Sequence, residues 1–291
     1  MLNNNYHERE NKKKIVVIIP VLNEVKEIEN CIRYFLKIKK KVDIEIVIST
    51  TNRENLPQKN LTLLKARKYQ KNGIKIINYP FSDGNKASQI NYCVDKIRRE
   101  YDYIGVFDVD SRPSLKSFEY IINDKESCEV YQITPYYKAT NKKNNFQLIA
   151  SLNQNNWVRR FEIPNLIDNY YKNKNKIMYC VGHGLIIRKK LIKEVPFPEN
   201  TNTEDLMWGY AINNSKIYPK PVPYFDESKI ALNLKDQISQ TSRWYSGELD
   251  SLFKLYGKKL FKNLKVLERI IFLILWILGP WIIIFLANTR K

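Results

Sequence analysis

Short apolar runs alternating with amphipathic stretches constrain this chain more than any other feature. Lys14 to Pro20, Asp43 to Ser49, Lys75 to Asn78 and Tyr103 to Phe107 each read as a strand. The first of these is a near-continuous apolar run, as expected of a strand buried on both faces of a parallel sheet. Between the runs, Asn23-Glu24 opens a helical pattern through Ile28, Ile32, Phe35 and Leu36. Asn85 to Arg99 places Ile90, Cys93, Val94 and Ile97 on one helical face. This alternation predicts an α/β fold, Rossmann-like, with a mostly parallel sheet flanked by helices. Ligands of such sheets bind beyond the carboxyl ends of the strands. Asp108-Val109-Asp110 follows the fourth run and occupies that place.

Further on, Cys128 to Pro135 reads as a strand and Phe146 to Ile163 as a helix carrying the basic pair Arg159-Arg160. Lys176 to Val181 leads into Gly182-His183-Gly184, and Leu185 to Ile187 continues as a strand. Thr203 is placed to cap a helix running through Asp205, Trp208 and Ala211. No repeat and no Ser/Gly-rich linker divides residues 1–238, which read as one domain. Residues 239–266 interleave Trp244, Leu252, Phe253, Leu255, Tyr256, Leu260, Phe261 and Leu264 with five lysines. That pattern predicts a basic amphipathic helix lying on an anionic membrane surface. In the last section, 267–291, the uncharged stretch Ile270 to Ala287 is just long enough to span hydrocarbon, with Arg269 before it and Arg290-Lys291 after. Gly279-Pro280 within it allows a kink or a shallow re-entrant pair.

The formal charge of +19 calls for anionic partners: nucleic acid, anionic lipid or pyrophosphates. An abundance of Lys, Asn and Ile accounts for part of the lysine excess. No nucleic-acid-reading motif is present, and the apolar tail argues against nucleic acid as the partner. The four cysteines, Cys31, Cys93, Cys128 and Cys180, are scattered without a CxxC pair, so free thiols are expected. The polar stretch Met1 to Lys14 reads as no signal peptide, which places the domain on the cytoplasmic side of the cell membrane with a C-terminal anchor.

Three polar stations carry the chemistry: Asp108-Val109-Asp110, Thr203-Glu204-Asp205, and Gln240-Thr241-Ser242-Arg243-Trp244. Paired carboxylates at a strand end suit Mg2+ or Mn2+, which take oxygen ligands. A second acid near a helix start suits proton abstraction. Arg clamps a pyrophosphate and Trp floors a sugar ring. Taken singly, each has an ordinary structural explanation: a solvated acidic turn, a helix cap, an interfacial anchor.

In this order the three stations resemble family 2 glycosyltransferases of GT-A fold. The resemblance is to the membrane-associated branch with DxD, TED and QxxRW motifs, which includes cellulose, chitin and hyaluronan synthases. It extends from Val16-Val17-Ile18-Ile19-Pro20 to Trp244. It implies metal-dependent, inverting transfer from a nucleotide-sugar to a lipid-linked or growing glycan. Asp205 is then the base, with Asp110 and Asp108 at the metal. Pro20, Glu24, Thr51, Asp83, Lys86, Asp108, Gln240 and Arg243 border the donor, and Glu204, Trp244 and His183 border the acceptor. For Lys86 and Asp83 a polar turn capping a helix remains an equal reading.

Two departures qualify the resemblance. After the second strand the family usually has an acid that reads uracil, whereas Ile48-Ser49-Thr50-Thr51-Asn52 offers hydroxyls, so a UDP-sugar is the less secure part. One apolar segment cannot enclose a polymer channel. Single additions at the inner membrane face are expected. The alternative is a processive synthase subunit that needs membrane partners. Association with a membrane protein or with further copies of the chain stays open. A nucleotidyl transferase would carry a glycine-rich loop after the first strand, and Pro20 to Asn30 has no glycine.

Overall fold

The computed structural model describes residues 13–54 and 61–274. Strand β1 (Ile15–Pro20) is β-branched at every position before its proline, a composition that resists helix and packs well in a sheet. Helix α1 (Ile28–Lys39), β2 (Ile44–Thr51), α2 (Leu61–Arg67), β3 (Ile74–Tyr79), α3 (Lys86–Lys96) and β4 (Tyr103–Val106) follow. The four strands pair in parallel in the order β3-β2-β1-β4. Strand periodicity divides the core in two. Ile15, Val17 and Ile19 meet Ile28, Ile32 and Phe35 of α1. Val16 and Ile18 meet Ala87, Ile90 and Val94 of α3. All four cysteines are free, three of them buried.

The remainder comprises β5 (Arg112–Pro113), α4 (Leu115–Asn123), β6 (Val130–Lys138), α5 (Asn145–Trp157), α6 (Ile163–Lys172), β7 (Leu185–Arg188), α7 (Lys189–Glu194), α8 (Glu204–Asn214), β8 (Lys220–Lys229) and α9 (Leu234–Tyr256). The full order is β3-β2-β1-β4-β7-β6-β8-β5. β7 runs antiparallel to both β4 and β6, and β5 antiparallel to β8. The sheet is therefore mixed, parallel only in its first half and between β6 and β8. Apolar runs signal strands but not their direction, so the sequence expectation of a mostly parallel sheet fails beyond β4. Where β6 spans Ile133 to Pro135, β8 spans Val222 to Asp226, a local irregularity beside two prolines that cannot donate to a ladder.

The expected helix 146–163 is longer and interrupted. A π turn, Val158–Glu162, joins α5 to α6. Pro164 lacks the amide that would bond back to residue 160, and a widened turn absorbs that loss. The expected amphipathic helix is α9, but it stops at Gly257, whose φ is +47°. A second helical stretch covers residues 264–274. The apolar stripe of α9 is partly covered by protein: Leu252, Leu255 and Tyr256 pack with Met178, Tyr179, Leu206 and Tyr210. Phe253 and Leu264 stay exposed. Arg269, the charge that precedes the apolar stretch, is buried against Glu248 at 2.6 Å. Most of Ile270 to Ala287 lies outside the described residues. Among those described, no helix is long and apolar enough to cross a membrane.

Gly209, in mid-α8, sits against the backbone of Tyr179 and Cys180, where a methyl group would overlap the Cys180 amide. Gly209→Ala is expected to cost about 1–3 kcal/mol of stability through overpacking. The urea midpoint of the variant against the parent checks this.

Candidate active site

At the carboxyl end of β4 the Phe107 amide still bonds to Ile18 O (3.1 Å), and then the chain turns. Ser111 N donates to Asp108 O (3.0 Å), and Ser111 Oγ accepts from Asp108 N (3.2 Å). The turn buries Val109 and leaves Asp108 and Asp110 on the wall of a cleft of about 830 Å³.

Lys86, the first residue of α3, is aimed at that wall by its neighbours. Asn85 caps the helix by accepting from Ser88 N (3.1 Å), while its amide donates to Glu199 O (2.8 Å) and Thr201 O (2.7 Å). Lys86 Nζ then reaches Asp108 Oδ1 (2.7 Å), Gly182 O (3.2 Å) and Glu204 Oε1 (3.7 Å). Burial works against its charge, yet Asp108, Glu204 and Asp205 together raise its pKa above that of an ordinary lysine. Burial also opposes ionisation of Asp108, but Lys86, His183 and Arg243 hold its carboxyl below the usual range.

The other acids are less well matched. Asp110 accepts from Lys229 N (3.2 Å), and burial followed by repulsion from Asp108 pushes it up. Glu24 is raised by burial and then by Asp110, Glu27 and Asp108. Carboxylates that raise one another's pKa in one wall form an oxygen-rich set whose charge a divalent cation would relieve. Asp124, Glu126 and Cys128 form a second group with ligand atoms within 4.8 Å of one another, but outside the cleft. Lys220 already meets that group, at 3.0 Å from Asp124 and 2.5 Å from Glu126.

Asp205 is the second residue of α8 and lines the cleft. Burial, then the adjacent Glu204, lift its carboxyl to about 7 against the opposing pull of Lys86. Only a glycine fits opposite: a Cβ on Gly182 would lie 2.6 Å from Asp205 Oδ2. Thr203 precedes the helix as expected but does not cap it with its side chain. Its hydroxyl lies 3.3 Å from that of Thr201, and Gly247 of α9 packs directly on it. This close approach lays α9 along α8 and brings Gln240, Arg243 and Trp244 to the cleft, where Arg243 stays exposed.

His183 is buried in the cleft, with Nδ1 2.9 Å from Asp226 Oδ2. Burial disfavours its charge, but Asp226, then Asp108 and Asp110, raise it to about 9. Asp226 Oδ1 in turn accepts from Arg112 N (2.7 Å), which links β8, the acidic turn and the histidine loop.

The cleft thus gathers Pro20, Glu24, Lys86, Asp108, Asp110, His183, Glu204, Asp205, Gln240, Arg243 and Trp244. It does not include Thr51 or Asp83. Thr51 is buried behind it and accepts from Arg53 Nε (3.2 Å), and Asp83 is exposed on a turn. Residues that sequence reasoning missed are Arg53 and Gln237 on the wall and Asp226 behind His183. At the far end it also missed Tyr137, Trp157, Glu162, Tyr179 and Glu248. Arg53 stood one residue past the hydroxyl-rich segment; nothing in the sequence pairs Asp226 with a histidine 43 positions away.

The sequence matches the family described as Glycosyl transferase family 2 over residues 16–196, more than half of its 291 residues. The chain belongs to that family. No curated protein matches it in sequence. In three dimensions the chain is similar to mannosyltransferase PcManGT from Pyrobaculum calidifontis, solved with GDP-Man and Mn2+. That match has a TM-score of 0.58 at 10% identity and covers 84% of this chain and 65% of that one. A mycobacterial protein gives a TM-score of 0.50 at 9% identity, covering 84% and 74%. S. aureus TarS gives 0.48 at 15%, covering 84% of this chain and 40% of TarS. At such identities the likeness establishes a GT-A-like fold alone. The chain spans less than two thirds of the length of the mannosyltransferase and of TarS.

Because folded His183 holds its proton up to about pH 9, against 6.5 for a free imidazole, its contribution to stability is complete below pH 6.5. The contribution is lost as pH rises through about 9. In metal-free buffer the melting temperature should fall across that window, and fall less steeply in His183→Gln. Parallel pH series of thermal unfolding check this.

Proposed function

We propose that the protein is an inverting glycosyltransferase that moves a sugar from a nucleotide-sugar to a hydroxyl of a lipid-linked or growing glycan. The observation that carries this reading is Asp205, a half-buried carboxyl poised at about 7 that lines the same cleft as Asp108, Asp110 and Lys86. A base works best with a pKa near the working pH. In the reaction, the acceptor oxygen forms a bond to the sugar's anomeric carbon as the bond from that carbon to the diphosphate oxygen breaks. Asp205 takes the hydroxyl proton, and the nucleoside diphosphate leaves with the electron pair. Attack opposite the leaving group inverts the anomeric centre.

Asp108, Asp110 and Glu24 would hold Mg2+ or Mn2+, which supplies charge neutralisation for the departing diphosphate. Lys86 and Arg243 add fixed cations at the same wall, and Gln240 adds a neutral donor. Mn2+ in the mannosyltransferase structure is in keeping with the acid set here. Of the donor's nucleotide the hydroxyl-rich second strand says little, so a UDP-sugar is one member of the class to test.

The same reading places the enzyme at the cytoplasmic face of a membrane, in keeping with a charge of +19 and with the apolar stretch Ile270 to Ala287. With one such stretch, synthesis of an exported polymer would require partner membrane subunits or further copies. Trp244 and Glu204 then border the acceptor.

Thermal shift with a panel of nucleotide-sugars, with and without Mn2+, tests the donor class, since a bound ligand raises the midpoint. At least one pair should stabilise the parent, and Asp110→Ala should lose the Mn2+-dependent part of the shift. Asp205→Asn should lose roughly 10²–10⁴-fold in turnover while keeping donor affinity. Retained turnover would remove Asp205 from its role. As the base must be ionised, kcat/KM should climb as pH rises through about 7. A flat profile across that range would contradict the assignment.

A further inference from the structure

The cleft has a second end whose side chains the transfer step leaves unused. The π turn Val158–Glu162 turns Glu162 into the cleft, where it is 4% exposed. Its Oε1 accepts from the Tyr179 hydroxyl (2.7 Å), and that hydroxyl accepts from the Trp157 indole (2.8 Å). Its other oxygen, Oε2, is buried with no hydrogen-bond partner in the described structure. An unmet buried acceptor costs about 1–3 kcal/mol, more when charged. Glu162 faces the cleft, so a ligand that brings a donor would relieve that cost. Burial pushes the carboxyl above the usual range, against the opposing hydrogen bonds of Tyr179 and Trp157 and the charges of His183 and Arg269.

The surroundings specify the donor's chemistry. Tyr137, Trp157 and Tyr179 give this end aromatic walls. Glu248 lines it too, held by Arg269 (2.6 Å) and the Tyr210 hydroxyl (2.8 Å). Aromatic faces beside carboxylates are suited to a molecule that is apolar on one side and rich in hydroxyl donors on its edge. Arg269 offsets Glu248 there, so Glu162 is the one carboxylate of this end left without an ion partner among the described residues, and it is what a phosphate would meet. The position along the cleft also fits. Tyr179 to Gly182 is a stretch of at most about 10 Å, and its far end abuts Asp205.

We propose that this end of the cleft is an acceptor subsite for a neutral sugar ring, with Glu162 Oε2 accepting one of its hydroxyls and the aromatic walls covering its apolar face. The proposal rests on the glycosyltransferase reading above and adds the chemical class of the acceptor unit that lies beside the reacting hydroxyl. A phosphate carried by the acceptor must then lie elsewhere.

The test is saturation-transfer NMR on the full chain, with UDP, GDP and Mn2+ present and methyl glycosides of glucose, galactose, mannose and N-acetylglucosamine as probes. At least one glycoside should receive saturation from the parent protein. In Glu162→Gln the oxygen that bonds Tyr179 is kept and the unpartnered oxygen becomes an NH2 group. The signal should then fall roughly tenfold or more, as for a lost hydrogen bond to a charged group. Glu162→Asp keeps the charge but withdraws it from the cleft, and should lose the signal likewise. Lys37→Ala, changed on the exposed face of α1 and away from the cleft, should keep it. Absence of signal from every glycoside with the parent, or full signal in both Glu162 variants, overturns the subsite. Thermal shift of the parent with nucleotide-sugars separates the two failures. A donor shift without glycoside signal removes only the subsite, and absence of any donor shift removes the transfer reading itself.

Discussion

A single ammonium group holds one wall of the cleft together. Lys86 Nζ touches Asp108 from the β4 turn, Gly182 O from the histidine loop and, at longer range, Glu204 at the start of α8. Those contacts join three segments that the sheet alone would leave independent. The lysine is aimed by the cap of its own helix, since Asn85 fixes the first turn and ties it to the 199–201 loop. Charge balance follows from the same contacts. Asp108 is satisfied and stays ionised, whereas Asp110 and Glu24, farther from the ammonium, are left with one another. Around this lysine the acids therefore differ in charge: Asp108 is held ionised, Asp110 and Glu24 are pushed up, and Asp205 lies near neutrality.

What was legible in the sequence was what depends on neighbours in the chain. Asp108 and Asp110 follow an apolar run, and any strand that ends there presents them together. Lys86 and Asp205 open helices, where caps and acids leave local marks. Gln240, Arg243 and Trp244 share one helical face by spacing. Periodicity also showed which side of α9 is apolar but not what covers it, and much of that side lies against Tyr179 and Tyr210.

What was not legible depends on tertiary pairing. The direction of β7 leaves no mark in a four-residue strand. The partnership of His183 with Asp226 joins a loop to β8 across 43 positions, and no local signal announces it. Thr51 and Asp83 illustrate the converse. Their chemistry suited the donor, but one is buried behind the wall and the other points from a turn into solvent. Glu162 lies near the end of the stretch Phe146 to Ile163, which reads as one uninterrupted helix. Pro164, two residues on, is the one local hint that the helix widens there.

The burial of Arg269 has a consequence for how the ends of the chain communicate. Its guanidinium belongs to the stretch 264–274, yet its ion partner Glu248 lies on the cleft wall. It also lies over the rings of Phe161 (4.5 Å) and Tyr179 (5.4 Å), the latter bonded to Glu162. Separating a buried pair of this kind costs about 3–5 kcal/mol, because a charge is left stranded. Any rearrangement of the C-terminal region that withdraws Arg269 must therefore change the charge felt inside the cleft. By linkage, whatever fills the cleft and engages those carboxylates must bias the C-terminal region in return. Within the described residues, the stretch 264–274 and the cleft wall are thus tied by a single buried ion pair.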